Sequence, residues 1–224
     1  MPSHEQSQHQ LGKFLSDTLA YFPDEILHFL EMGCGTGYTT RIIAAADPRV
    51  HVTAVDIAQG MIDQARSNLA DFVEIGRVEL IKADALEYVN TCPPELYAGF
   101  ASAMTIHNFQ QNYRNEFLQG VFKVLRPEGV FVNADKYAHD KVGERVKAVV
   151  DELWSISKTY VAHRDLNGAC QWFYHCVADV MPARIMPEHQ AIKQLQSIGF
   201  DVHTILRLPI EAVVAGCKKR APTI

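Results

Sequence analysis

The 224-residue chain has no apolar run approaching the ~20 residues a bilayer span requires, so no helical membrane anchor is expected. It has no basic excess. Its 21 Lys and Arg against 26 Asp and Glu leave a net charge of −5, without the electrostatic footprint of a nucleic-acid binder. The five cysteines, Cys34, Cys92, Cys170, Cys176 and Cys217, form no Cys-x-x-Cys pair. Their odd number fits reduced thiols in a cytoplasmic protein. No His-Glu-x-x-His, cysteine cluster or carboxylate run suggests a metal, and Met1-Pro2-Ser3-His4-Glu5-Gln6 has no apolar signal-peptide core. Repeats, low-complexity tracts and linkers are also missing, so a single domain over residues 1–224 is expected. The terminal Lys218-Lys219-Arg220 reads as a solvated tail.

What is present is a glycine loop. In Leu30-Glu31-Met32-Gly33-Cys34-Gly35-Thr36-Gly37-Tyr38, three glycines at alternate positions follow an apolar run. Bare backbone there lets a ligand approach, and the next helix turns its unpaired N–H groups into the same crevice. About twenty residues on, Asp56 ends a second apolar run, where a carboxylate can accept from two vicinal ribose hydroxyls. A nucleoside ligand follows from the pair. The dinucleotide fingerprint would put its third glycine at position 38, which is Tyr38; here it falls at Gly37.

Periodicity predicts an amphipathic helix over Leu11–Tyr21, then strands at His28–Met32, Val50–Val55, Val78–Lys82, Tyr97–Met104 and Gly129–Asp135. Helices are expected between them at Tyr38–Ala46, Ala58–Leu69 and Asn112–Leu125. Such alternation implies a parallel sheet covered on both faces. After a last helix, Pro187–Ile198, the strand-like Phe200–Leu206 and Ile210–Cys217 lie too close in sequence for a parallel crossover and must pair antiparallel. The fold expected is therefore α/β: a Rossmann-like, doubly wound, mainly parallel seven-stranded sheet with a C-terminal antiparallel hairpin. Within it, 1–23 forms a helical cap, 24–136 the ligand-binding core, 137–186 a helical insertion and 187–224 the last helix and hairpin. The insertion carries two apolar stripes, one from Val142 to Ile156 and one from Trp172 to Val180.

The pattern Glu31-x-Gly33-x-Gly35-x-Gly37 resembles the first motif of the class I S-adenosylmethionine-dependent methyltransferases. Ala54-Val55-Asp56-Ile57-Ala58-Gln59-Gly60-Met61, Ile81-Lys82-Ala83-Asp84-Ala85 and Leu125-Arg126-Pro127-Glu128-Gly129-Val130-Phe131 follow in the family's order. The likeness covers residues 24–135 and returns at 198–218. It implies S-adenosyl-L-methionine as cofactor, with Gly33, Cys34 and Gly35 as its backbone cradle and Glu31 under its amino group. Asp56 would hold its ribose, with Ile57 and Met61 flanking ribose and adenine. Asp84 would take the exocyclic amine, Ala85 a ring nitrogen, and Ala103 at the tip of strand four would lie beside the sulfonium. Core packing is an alternative for Met61, and a helix N-cap for Asp84.

In the same family an insertion like 137–186 lies over the active site as a lid. His107 and Asn108 are expected to point to where an acceptor enters, His107 as a base near neutral pH or as a pocket wall. Trp172 in the lid could meet a planar substrate or pack the lid onto the sheet. Asp135 alone, without partners, carries no metal assignment. The expected activity is methyl transfer to a small-molecule acceptor by in-line displacement; no membrane or nucleic-acid partner is expected, and the oligomeric state is open. The alternatives are a tRNA or protein methyltransferase, a dinucleotide-dependent oxidoreductase, and a cofactor-binding interaction module without turnover.

Overall fold

The computed structural model describes residues 3–220; Met1, Pro2 and residues 221–224, which end the outer cap and hairpin segments, lie outside it. The strands are β1 (Leu27–Met32), β2 (Val50–Asp56), β3 (Val78–Lys82), β4 (Tyr97–Ala103), β5 (Leu125–Lys136), β6 (Phe200–Arg207) and β7 (Glu211–Lys218). They form one sheet in the order β3-β2-β1-β4-β5-β7-β6. The first five are parallel, whereas β7 runs antiparallel to both β5 and β6. The order of strand addition reverses between β1 and β4, where an open parallel sheet leaves its crevice.

Each strand alternates between two cores. In β1, Leu27 and Phe29 join the cluster with Leu11, Leu15 and Ile43, while Leu30 and Met32 join Phe100, Phe117 and Phe131 on the other face. All seven residues of β4 are buried, as expected of a central strand covered on both sides. Gly99 is part of that fit: a Cβ there would stand 2.1 Å from the Phe29 ring. On the second face Phe100 stacks on Phe131 at 5.4 Å and meets Phe117 edge-on at 6.0 Å.

The helices are α1 (Ser3–Leu19), α2 (Tyr38–Ala46), α3 (Gln59–Asn68), α4 (Ala70–Glu74), α5 (Ala85–Thr91), α6 (Gln111–Val124), α7 (Val142–Ala162), α8 (Leu166–Asp179) and α9 (Glu188–Ile198). Helix α1 begins eight residues earlier than its apolar spacing predicts, and α4 follows α3 without a sequence signal. Arg49 fastens α1 to the core by donating to the carbonyls of Leu19, Phe22 and Asp24. The expected solvated tail is corrected at Lys218: it closes β7, is buried, and donates to the Leu125 carbonyl at 2.7 Å.

Helices α7 and α8 pack on each other, and 137–186 leaves and re-enters the core at one point, where Ala138 pairs with Pro187. The apolar stripe of α7 is less buried than its spacing suggests, with Val142, Val146 and Val150 all exposed.

Candidate active site

A cleft of about 750 Å³ opens at the C-terminal ends of β1, β2, β3 and β4. Its floor is the glycine loop, and the three glycines serve different ends. All have positive φ, 74° at Gly33, 53° at Gly35 and 88° at Gly37. A Cβ at Gly33 would strike the Thr105 side chain, and one at Gly37 would strike Leu69, so these two permit close packing. At Gly35 a Cβ would meet nothing within 4 Å. Its bare backbone faces open space, the requirement for a ligand to lie against it.

Asp56 is held in place by that loop. Oδ2 accepts the Gly35 N–H and Oδ1 the Ala58 N–H, both at 2.9 Å. Each oxygen keeps acceptor capacity beyond these bonds, so the carboxylate is fixed while still able to take two hydroxyls. Ile57 and Met61 line the cleft with exposed side chains, 66% and 41% respectively. That exposure excludes core packing for Met61.

Asp84 does two things at once. Its Oδ1 caps α5, accepting from the N–H groups of Leu86 and Glu87, and also accepts the Tyr113 hydroxyl at 2.8 Å. None of these bonds uses Oδ2, and Asp84, Ala85 and Tyr113 all line the cleft. Tyr113 carried no signal in the sequence; burial pushes its hydroxyl up to about 12, so it stays a neutral donor. Gln8 on α1 is a second unforeseen wall residue, donating to the Thr39 hydroxyl at 2.9 Å.

Glu31 lies behind the loop, fully buried and off the cleft wall. Burial pushes its carboxyl up to about 8, the nearby Asp56 charge adds to this, and the Thr40 hydroxyl offsets part of it. No group meets either carboxylate oxygen in full hydrogen-bond geometry, the nearby Thr40 hydroxyl included, and the Gln8 Oε1 atom is also unsatisfied. Orphaned buried acceptors cost free energy, and acceptors beside the loop are suited to a cationic donor such as an ammonium. Cys34 is buried here as well, its thiol held above the usual range by burial and by the Glu31 and Asp56 charges.

Strand β4 ends in a strained residue. Met104 has φ 51°, rarely adopted by a non-glycine and typical of functional turns. It lines the cleft with Ala103, Thr105, Asn108 and Phe109. His107 does not. Contrary to the expectation that it faces the cleft with Asn108, His107 is 4% exposed and points into a second cavity of about 50 Å³. The cause is Asp135, whose Oδ1 lies 2.5 Å from His107 Nδ1 while Oδ2 accepts the His107 N–H. Burial works against the Asp135 charge, yet the imidazole and two backbone N–H groups outweigh it and hold the carboxyl below its usual range.

Lys136, Glu152, Cys176 and Asp179 line the same small cavity. Burial alone would lower the Lys136 ammonium, but Glu152 at 3.2 Å and Asp179 at 2.8 Å raise it. Trp172 lines neither cavity; it covers the Lys136 ammonium, 5.3 Å from the ring centre. This is the lid-packing role rather than a substrate contact. Among the described residues, none of 137–186 lines the main cleft.

Residues 29–129 match a family described as a methyltransferase domain. The chain is similar to a carboxy-S-adenosyl-L-methionine synthase of Aeromonas hydrophila subsp. hydrophila, 26% identical over 76% of this chain and 65% of that protein. It is also similar to a malonyl-(acyl-carrier protein) O-methyltransferase of Anoxybacillus flavithermus, 42% identical over 29% of this chain and 24% of that protein. It therefore spans just under two thirds of the first relative's length and about a quarter of the second's. Among solved structures, the YcgJ protein of Bacillus subtilis shares the fold, with a TM-score of 0.67 over 97% of this chain and 100% of that one at 13% identity.

Proposed function

We propose, since this chain belongs to the class I S-adenosylmethionine-dependent methyltransferase family, that it transfers a methyl group to a small-molecule acceptor by in-line displacement. The family's cofactor is S-adenosyl-L-methionine, which supplies an electron-poor methyl carbon with a neutral thioether as leaving group. The observation that carries the reading is the open backbone at Gly35 joined to the fixed but unsaturated carboxylate of Asp56.

In this reading Gly33, Cys34 and Gly35 present backbone to the cofactor, and Asp56 accepts both ribose hydroxyls. Ile57 and Met61 exclude water from the nucleoside, while Asp84 through Oδ2, with Ala85, reads the adenine edge. Glu31, protonated in the ligand-free protein near neutral pH, would release its proton and supply negative charge behind the loop once the amino group is bound. Ala103 and the Met104 turn bring the end of β4 to the reacting centre, and Asn108 and Phe109 border the acceptor's approach. Holding donor and acceptor in line within a dry cleft is worth ~7–11 kcal/mol, and no covalent catalyst is needed.

One relative is named an O-methyltransferase of malonyl-(acyl-carrier protein) and another a synthase of an S-adenosylmethionine derivative, which supports an acceptor of small or acyl type. The net charge of −5 argues against a tRNA acceptor. Calorimetry is expected to give binding of S-adenosylmethionine or S-adenosylhomocysteine well ahead of NAD. Tighter binding of NAD would return the chain to the dinucleotide-dependent alternative. Labelled methyl transfer into a metabolite extract separates an enzyme from an interaction module.

Asp56→Ala removes two hydrogen bonds to a charged group, each worth ~1.5–3 kcal/mol. Cofactor affinity is expected to fall at least about tenfold, with the loop geometry retained through the Gly33 and Cys34 bonds to the Val55 carbonyl. An unchanged dissociation constant would place the ribose elsewhere.

A further inference from the structure

At the second cavity, which His107 and Asp179 line, a histidine from just after β4 meets two groups of α8 that lie about seventy residues further along the chain. His107 sits in a short 3-10 turn after β4, and His175 and Asp179 lie one turn apart on α8. Their ligand atoms, one from each residue, all lie within 4.8 Å of one another. His107 Nε2 is 4.0 Å from Asp179 Oδ1, too far for a hydrogen bond.

Both buried members are prepared for a ligand. Asp135 takes the proton side of the His107 ring at Nδ1, which leaves the Nε2 lone pair turned to the cavity. A carboxylate behind a metal-binding imidazole is the usual arrangement for fixing its tautomer and ring orientation. The Asp179 side chain is 9% exposed, and its Oδ1 is buried without a partner. Oδ2 is taken by Lys136 at 2.8 Å, which orients the carboxylate and leaves Oδ1 toward the imidazole. His175 stands at the rim, its ring centre 6.4 Å from that of His107 and 5.9 Å from that of Trp172.

We propose that His107, His175 and Asp179 form a binding site for a single first-row divalent cation, with zinc the expected occupant. Two imidazole nitrogens and one carboxylate oxygen suit zinc and its neighbours, whereas magnesium and calcium favour all-oxygen sets. Metal–ligand distances of ~2.0–2.2 Å in a tetrahedral site place ligands of one ion about 3.3–3.6 Å apart. The present spacing therefore needs side-chain closure of about 1 Å, mostly by the rim residue His175. Three protein ligands leave a fourth position for water or another small donor. The His175–Asp179 spacing puts both ligands on one face of α8, and His107 belongs to the core. The ion thus joins the 137–186 segment to the sheet. Lys136 opposes it: its ammonium must stay on Oδ2 and Glu152 while the cation takes Oδ1.

The site goes beyond the methyltransferase reading and is tested apart from it. Purified full-length protein stripped with a chelator is titrated with zinc chloride, and separately with magnesium chloride, by calorimetry. One zinc ion per chain is expected at micromolar affinity or tighter, with no magnesium heat. Because His175 is exposed, His175→Ala keeps the fold and is expected to weaken zinc binding at least tenfold; Asp179→Asn, which preserves shape, is expected to do the same. Zinc is further expected to slow proteolysis within 142–179 in wild type and not in either variant. No zinc binding by the wild type, or equal binding by both variants, overturns the proposal. S-adenosylhomocysteine affinity in the same samples reports on the main cleft alone. Its loss would strike the methyltransferase reading and leave the zinc result standing.

Discussion

Glu31→Gln is expected to stabilise the ligand-free protein at pH 8 by about 2–4 kcal/mol and to weaken S-adenosylmethionine binding about tenfold. The carboxyl is fully buried with no partner in full hydrogen-bond geometry, and burial pushes it up to about 8. The unfolded chain releases that proton near the ordinary glutamate value of 4.5. Between the two values the folded state holds a proton that the unfolded state has lost, so stability falls as pH rises from about 4.5 to about 8. Glutamine cannot ionise and removes this slope. Denaturation midpoints at pH 5 and pH 8 check it: the variant's advantage must be small at pH 5 and large at pH 8. A group kept at a stability cost and lost at a cost in affinity is the pattern of a functional site. Equal stability at both pH values, together with unchanged affinity, would make Glu31 an ordinary buried acid.

The core of this fold was legible because its signals are local. Strand β3 and helix α2 have the boundaries their periodicity predicts, and Gly199 ends α9 as its sequence position suggests. Asp56 could be placed by its offset from the glycine loop, since the strand-helix-strand unit fixes that geometry. What the sequence hid are contacts closed by tertiary packing. Asp135 turns His107 away from the cleft across 28 residues, and nothing near either position announces it. For Asp84 the sequence allows an adenine acceptor or a helix cap, and the structure gives one oxygen to the cap and leaves the other uncommitted. Tyr113 and Gln8 reach the cleft from helices whose apolar faces gave no sign of a polar neighbour there. His175 and Asp179, four apart on α8, carry no metal signal in the sequence by themselves, and their spacing becomes meaningful once His107 arrives from the sheet.

Replacing residues 142–181 by a short Gly-Ser linker is expected to abolish methyl transfer while leaving cofactor affinity within about threefold. The two ends can be joined because Ala138 donates to the Met186 carbonyl and accepts from Glu188, a contact made outside the excised segment. Every residue lining the cleft lies outside it too, so the groups assigned to the cofactor keep their surroundings. What the excision removes is the wall over His107 and Lys136, on the side where Asn108 borders the cleft. An acceptor that extends from the cleft past Asn108 would then meet water in place of α7 and α8, and the alignment that in-line displacement depends on is expected to be lost. Excision also bares the apolar floor beneath α7 and α8, and a fall in melting temperature is expected with it. The deciding comparison is S-adenosylhomocysteine affinity against labelled methyl transfer into a metabolite extract, measured on folded variant and wild type. Loss of cofactor affinity in a folded variant would assign 142–181 to the cofactor site. Retained methyl transfer would mean that the acceptor is held by the core alone.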